Sequence, residues 1–305
     1  MPIQRRPNKV SADEFAARPR EDASFREFIR GLPEVLVASS FRSVVKAIVE
    51  AKRKERAVIV MLGGHIVKTG VGPVLIDLME RGIITHLAMN GSGAIHDYEI
   101  ARFGATSEDV ARGLVDGTFG MADETGRGMN RAFTVGMREG WGMGESVARA
   151  LLDEDDLANP EMSLLVSAHR HGIPCTVHAA LGAEIIHQHP EANGAAIGDT
   201  SHRDFRRLAA SIPHLHDGGV VLNCGSAVIM PEVFVKALTV ARNLNDRRPF
   251  NFTTCDLDMQ RHYRPRMNVV IRPTNAGGQG YEITGHHEIM VPLLAWAVVD
   301  ALGTT

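Results

Sequence analysis

The chain has 305 residues, 44% of them hydrophobic and 23% charged, with a formal net charge of -3. That length allows one large domain or two ordinary ones and buries a sizeable core without covalent staples. With no basic excess to neutralise phosphates, DNA or RNA is excluded as the main ligand. The three cysteines, Cys175, Cys224 and Cys255, stand far apart with no CxxC pair. A thiolate zinc site of the usual spacing is thereby excluded, and the thiols read as reduced. The N-terminus, MPIQRRPNKVSADEF, lacks the apolar stretch of a signal peptide. No apolar run reaches the ~18 residues of a membrane helix. A cytoplasmic protein with no membrane partner is expected.

Residues 1–40, punctuated by Pro7, Pro19 and Pro33, read as an arm leading into the first helix, and 41–305 as a single domain. From Phe41 to Arg56, Val44, Val45, Ile48 and Val49 recur at helical spacing. AVIVML (Ala57–Leu62) is a short apolar run stopped by Gly63-Gly64, the pattern of a strand buried on both faces. A helix over Val71–Gly82, closed by Gly82, precedes a second strand, Ile84–Asn90, and a Gly91–Gly93 turn. This is a βαβ unit. The stretch 108–154, rich in Gly and Met, contains no strand pattern and reads as a helical insertion over one edge of the sheet.

Further along, Ser163–Gly172 reads as a helix end and Ile173–Leu181 as a strand. A helix over Asp204–Leu215 is followed by a strand and turn over Gly218–Ser226. A helix over Pro231–Leu244 opens with Pro at its first position. Asn251–Asp256 and Met267–Pro273 are the last strand candidates, before a final helix, IMVPLLAWAVVDAL. Alternation of this kind predicts an α/β fold, a doubly wound, Rossmann-like parallel sheet with helices on both faces.

Ligands of such sheets bind past the C-terminal ends of the strands. Three glycine-rich turns fall there: Gly63–Gly72, Asn90–Asp97 and Asn223–Val228. Glycine allows a backbone to approach a ligand, and a following helix N-terminus favours phosphate. None of the three is a Walker A loop or a strict GxGxxG. The histidines form two groups, His178, Glu184, His187 and His189, then His286, His287 and Glu288. There is no HExxH, and His187 and His189 would point apart on a helix, so no metal site is assigned. No GxSxG elbow exists. Asp256 and Asp258 read either as ribose or amine contacts or as a solvated loop. The patch Arg261–Arg266 reads as surface or subunit interface.

GGHIVKTGVGPVLIDLMERGIITHLAMNGSGAIHD resembles the cofactor-binding half of deoxyhypusine synthase. The resemblance continues through IPCTVHAALGAEII, GGVVLNCGSAVIMPE and YEITGHHEIMVPLLAWAVVDAL, from about Phe41 to Leu302. It implies a Rossmann-like homotetramer that binds NAD near subunit interfaces. The implied reaction oxidises a polyamine with NAD and holds the aminobutyl group on a lysine as an imine. The group then passes to a lysine of an acceptor protein or to putrescine. The implied NAD contacts fall on Gly64, His65, Lys68, Thr69 and Gly70, and on Asn90, Gly91, Ser92 and Gly93. They continue on Cys224, Gly225, Ser226 and Asp256.

The reactive positions depart from that family. Its lysine segment is RPRMNVVIRPTNAGG here, with no lysine after Lys236. Its acidic pair falls on Ile95 and His96, its amine-binding Asp on Ala183 beside Glu184, and another Asp on His178. The expectation is an NAD-dependent transferase or oxidoreductase of small amines with altered chemistry. His96 or His178 is its general base, with Glu184 in the same site. Lys68 is either a nucleophile or the partner of a cofactor phosphate. The alternatives are a non-enzymatic NAD or metabolite-binding protein and a metal-dependent hydrolase using the histidine clusters.

Overall fold

A computed structural model describes residues 1–244 and 248–303. After an N-terminal arm, the chain forms α1 (Phe25–Gly31) and α2 (Leu36–Arg53), then β1 (Val58–Leu62), α3 (Gly64–Lys68), α4 (Gly72–Glu80), β2 (His86–Asn90) and α5 (Gly91–Phe103). Three helices follow, α6 (Val110–Asp116), α7 (Asp123–Glu139) and α8 (Met143–Leu152), before α9 (Leu164–Arg170) and β3 (Cys175–His178). The remainder is α10 (Gly194–Ser211), β4 (Val220–Cys224), α11 (Ile229–Leu244), β5 (Phe252–Asp258), α12 (Tyr263–Pro265), β6 (Gly278–Thr284) and α13 (His287–Leu302).

The six strands form one sheet in the order β3-β2-β1-β4-β5-β6, every pair parallel. Parallel neighbours require crossovers, and these place helices on both faces. The central strand β1 reads VIVML and is buried at every position. Its side chains alternate between two cores. Val58, Val60 and Leu62 join the cluster with Ile48, Leu75 and Val291, while Ile59 and Met61 join Leu208, Phe234 and Phe252. In the stretch between β2 and β3, α7 and α8 contribute Met129, Phe133, Val147 and Leu151 to the larger cluster.

Several expectations are corrected. The turns after β1 and β2 are themselves helix starts: α3 begins at Gly64 and α5 at Gly91. Helix α10 begins at Gly194, ten residues before the expected Asp204, because Asn193 accepts hydrogen bonds from Ala195 and Ala196 and caps it. The expected strand Met267–Pro273 is a π-helical turn over Arg266–Ile271. Its apolar run is buried, and length and composition do not separate a short buried helix from a strand. The sixth strand is instead GQGYEIT at the sheet edge. Half exposed and glycine-rich, it lacks the alternation that marks a strand, and a Cβ on Gly280 would stand 2.2 Å from the Val270 carbonyl oxygen. Among the described residues, no helix is long and apolar enough to cross a membrane.

Candidate active site

A cleft of ≈ 700 Å³ opens at the C-terminal ends of the first three strands. Its floor is α5. Asn90, at the end of β2, caps this helix by accepting from the Gly93 N–H at 3.0 Å, and it also accepts from the Ser92 hydroxyl at 2.9 Å. The helical repeat then brings Ser92, Ile95, His96 and Glu99 onto one face, and all four line the cleft. Lys68 closes one end, and Ala183–Ile185 borders another side. The chain that leaves α5 at Gly104, whose φ is 75°, folds back as the far wall with Thr106, Val110 and Phe119.

Burial acts oppositely on the cleft's two central titratable groups. It lowers the His96 imidazole to about 4, with the Lys68 charge adding to the shift, so the ring is neutral at physiological pH. It raises the Glu184 carboxyl to about 7, although N–H groups of Ala180 and Gly91 bond to it and pull the other way. Glu184 lies against the N-terminus of α5, where a carboxylate meets the positive end of the helix dipole. Only glycine fits beneath it, since a Cβ on Gly91 would lie 2.2 Å from the carboxyl carbon. The His187 Nε2 stands 3.1 Å from the same carboxyl. His96 Nδ1 is 2.7 Å from the Thr106 hydroxyl, which donates to Glu99, and Thr125 donates to the other Glu99 oxygen at 3.0 Å.

The rest of the sheet edge is packed. A Cβ on Gly63 would stand 2.0 Å from the Gly225 carbonyl oxygen, so the turns after β1 and β4 meet backbone to backbone. The His287 ring lies 3.0 Å from where a Gly225 Cβ would be, and edge-on to His65 at 5.5 Å. Asn223 donates to Asp256 at 2.8 Å and to the Ser226 carbonyl at 3.0 Å. Burial first, then the nearby Asp258 and Glu282, pushes Asp256 up to about 7. Burial pushes the Cys224 thiol up to about 12, leaving it protonated.

At most of these turns glycine is required by the protein's own packing. The space a side chain would fill at Gly63, Gly64, Gly91, Gly93 and Gly225 is held by the protein's own atoms. Gly70 has open surroundings, with a φ of 77°. Of the expected catalytic set, His96, Glu184 and Lys68 converge on the cleft, and of the expected cofactor contacts Lys68 and Ser92 border it. His178 does not. It is buried on the opposite face of β3 with its Nε2 3.0 Å from Thr176, which also meets His86, and burial drives it to about 3. His189 pairs with Asp123 at 3.1 Å, and His286 lies 3.8 Å from Glu288. Among the described residues, no three His, Cys, Asp or Glu side chains gather as a metal-binding set. Glu99, Thr106 and Thr125 were not foreseen. Glu99 follows His96 by three positions, the one local signal available, whereas Thr106 and Thr125 reach the site only through tertiary folding.

No protein-family model and no curated protein matches the chain. Among solved structures, a candidate deoxyhypusine synthase from Entamoeba histolytica superposes with a TM-score of 0.53 at 11% identity, covering 92% of this chain and 95% of that one. The two chains share a fold over most of their lengths. AgrE, solved as a ternary complex with ornithine and NAD+, gives a TM-score of 0.51 at 12% identity. ArgZ, an arginine dihydrolase from the ornithine-ammonia cycle in Cyanobacteria, gives 0.51 at 13%. Each of these two matches covers 87% of this chain and 33% of the other protein, so the chain spans about a third of their length. At such identities the likeness concerns the fold alone.

Proposed function

We propose that the protein is an NAD-dependent enzyme acting on a small amine, with the cleft over β1, β2 and β3 as its active site. The observation that supports this most is the pair of groups in that cleft: a neutral His96 and a Glu184 that holds its proton up to about pH 7. Two titratable groups pushed apart by their surroundings are the usual mark of an assigned base and acid. The cleft size lies within the range of small-molecule sites. Its lining sets the carboxylates Glu99, Glu108 and Glu124 against the single cation Lys68, a balance that favours a cationic substrate.

His96 would take a proton from the amine nitrogen as the adjacent carbon gives up hydride, leaving a free imine, and Glu184 would protonate the imine nitrogen so that water adds and ammonia leaves. Lys68, exposed and without a partner among the described residues, would pair with a cofactor phosphate, and Ser92 would border it. When bound, NAD supplies the hydride acceptor. Gly225 and Asp256 do not fit the cofactor contacts expected of them, because His287 stands beside the one and Asn223 holds the other. The altered lysine segment is consistent with oxidation that releases its product rather than holding it as an imine.

The test has two arms. Millimolar NAD raises the melting temperature of the purified protein, and a panel of diamines and basic amino acids includes one that reduces the bound NAD. No thermal shift removes the cofactor from this reading. A shift with no reduction by any amine overturns the enzymatic role and leaves a binding protein.

A further inference from the structure

We infer that Thr106 and Glu99 are positioning residues that fix His96 as the tautomer protonated on Nδ1, with the lone pair of Nε2 presented to the cleft. Thr106 has one hydroxyl proton. It is directed at one Glu99 oxygen, and the other oxygen accepts from Thr125 at 3.0 Å. The carboxylate is therefore held on both sides by donors and rotates toward neither. With its proton committed to Glu99, the Thr106 oxygen only accepts from the imidazole, 2.7 Å away. The imidazole proton must then sit on Nδ1.

Nε2 makes no hydrogen bond to the described residues. His96 lines the cleft, and its Cδ2, next to Nε2, lies 3.2 Å from the position a Cβ would take on Gly64. A nitrogen so placed accepts a proton from whatever enters. A fixed second hydrogen bond on a histidine is the general means by which the choice of reacting nitrogen is made. Here it is made across three segments. His96 and Glu99 come from α5, Thr106 from the segment after Gly104, and Thr125 from the first turn of α7.

The role of His96 as a base rests on the function proposed above, whereas its tautomer does not. The test is a long-range proton–nitrogen correlation spectrum of the full-length protein labelled with 15N-histidine, at pH 7, with His96→Gln used to assign the ring. The expected spectrum shows protonated Nδ1 and bare Nε2 for His96. Glu99→Ala removes the acceptor that holds the Thr106 proton, so the hydroxyl turns toward the imidazole and the ring proton moves to Nε2. Thr106→Ser keeps the wild-type pattern, and Thr106→Val loses it. Once an amine substrate is in hand, Thr106→Val lowers kcat by about 10²-fold with KM little changed. A wild-type ring protonated on Nε2, or a spectrum indifferent to both Glu99→Ala and Thr106→Val, overturns the inference. Absence of any amine activity with the expected spectrum removes the proposed function and leaves the relay standing.

Discussion

Over β1, β2 and β3 the C-terminal edge of the sheet opens into a cleft, whereas over β4, β5 and β6 the same edge is filled by side chains. Both halves carry glycine after a strand and both place carboxylates nearby. They differ in what the neighbouring elements deliver. On the open side, the chain leaves α5 at Gly104 and returns as a wall standing off from the helix, with Phe119 and Thr106 facing His96. On the closed side, the start of α13 drops His287 onto Gly225, where its Nε2 lies 3.2 Å from the Leu257 carbonyl oxygen. Glycine in these turns is thus first a packing device, and a ligand site results only where the next segment withdraws.

The largest effect expected from breaking this comparison is at the seam between the halves. In Gly63→Ala the new methyl group would lie 2.0 Å from a backbone oxygen of Gly225, which has no side chain to swing away. Strands β1 and β4 must then shift apart. A loss of about 3 kcal/mol is expected, at the severe end for overpacking. Gly70→Ala, in open surroundings but at a φ of 77°, costs only about 1 kcal/mol of backbone strain. Urea unfolding of both variants measures the difference. Equal losses would mean that the halves are not held by the Gly63–Gly225 contact.

The central βαβ unit was legible because its signals are local. β1 is wholly apolar, Gly82 takes the left-handed conformation that ends a helix, and Asn90 is a good cap. What failed depended on distant partners. The π-helical turn and β6 exchange the expected strand and loop because Gly280 packs under Val270, a contact no local pattern announces. Lys68 and His96 lie in glycine turns and Glu184 came with the resemblance, beside Ala183, and the cleft does gather all three. His178 was misplaced for a reason the sequence did contain. Val177 joins the larger core, so alternation along the strand turns Thr176 and His178 to the other face, where they meet His86. Resemblance carried the cofactor contacts onto Cys224, Ser226 and Asp256 evenly with the rest, since it compares residues and not the space beside them.

Asp256 measures how closed the second half is. Its carboxyl ordinarily titrates near 3.8 and is raised to about 7 in the fold. As pH climbs through that window, the unfolded chain has released its proton and the folded chain still holds it, so stability falls. Above about 7 both states are ionised and the decline stops. Asp256→Asn removes that slope while the Asn223 amide keeps an oxygen to bond. Relative to wild type, the variant gains stability progressively between pH 4 and 7, and the gain is constant thereafter. Thermal unfolding across that range reads it. A pH-independent difference would show that water reaches Asp256 and that this half is open as well.

A smaller effect separates the two roles within the cleft. If His96 must be bare and Glu184 protonated, the rate with an amine substrate rises with pH as His96 loses its proton near 4 and falls as Glu184 loses its own near 7. Glu184→Gln keeps the neutral shape and an oxygen for the N–H groups of Ala180 and Gly91, but has no proton to give within this range. The acid limb should stay where it is, the fall near 7 should vanish, and the plateau should drop about tenfold, with proton return left to water. The same substitution removes a second pH slope. The Glu184 carboxyl is raised from 4.5 to about 7, so its burial lowers wild-type stability as pH rises through that interval, and the amide does not. A variant that loses the stability slope yet keeps the fall in rate near pH 7 would place the acid elsewhere and leave Glu184 as no more than the cap of α5.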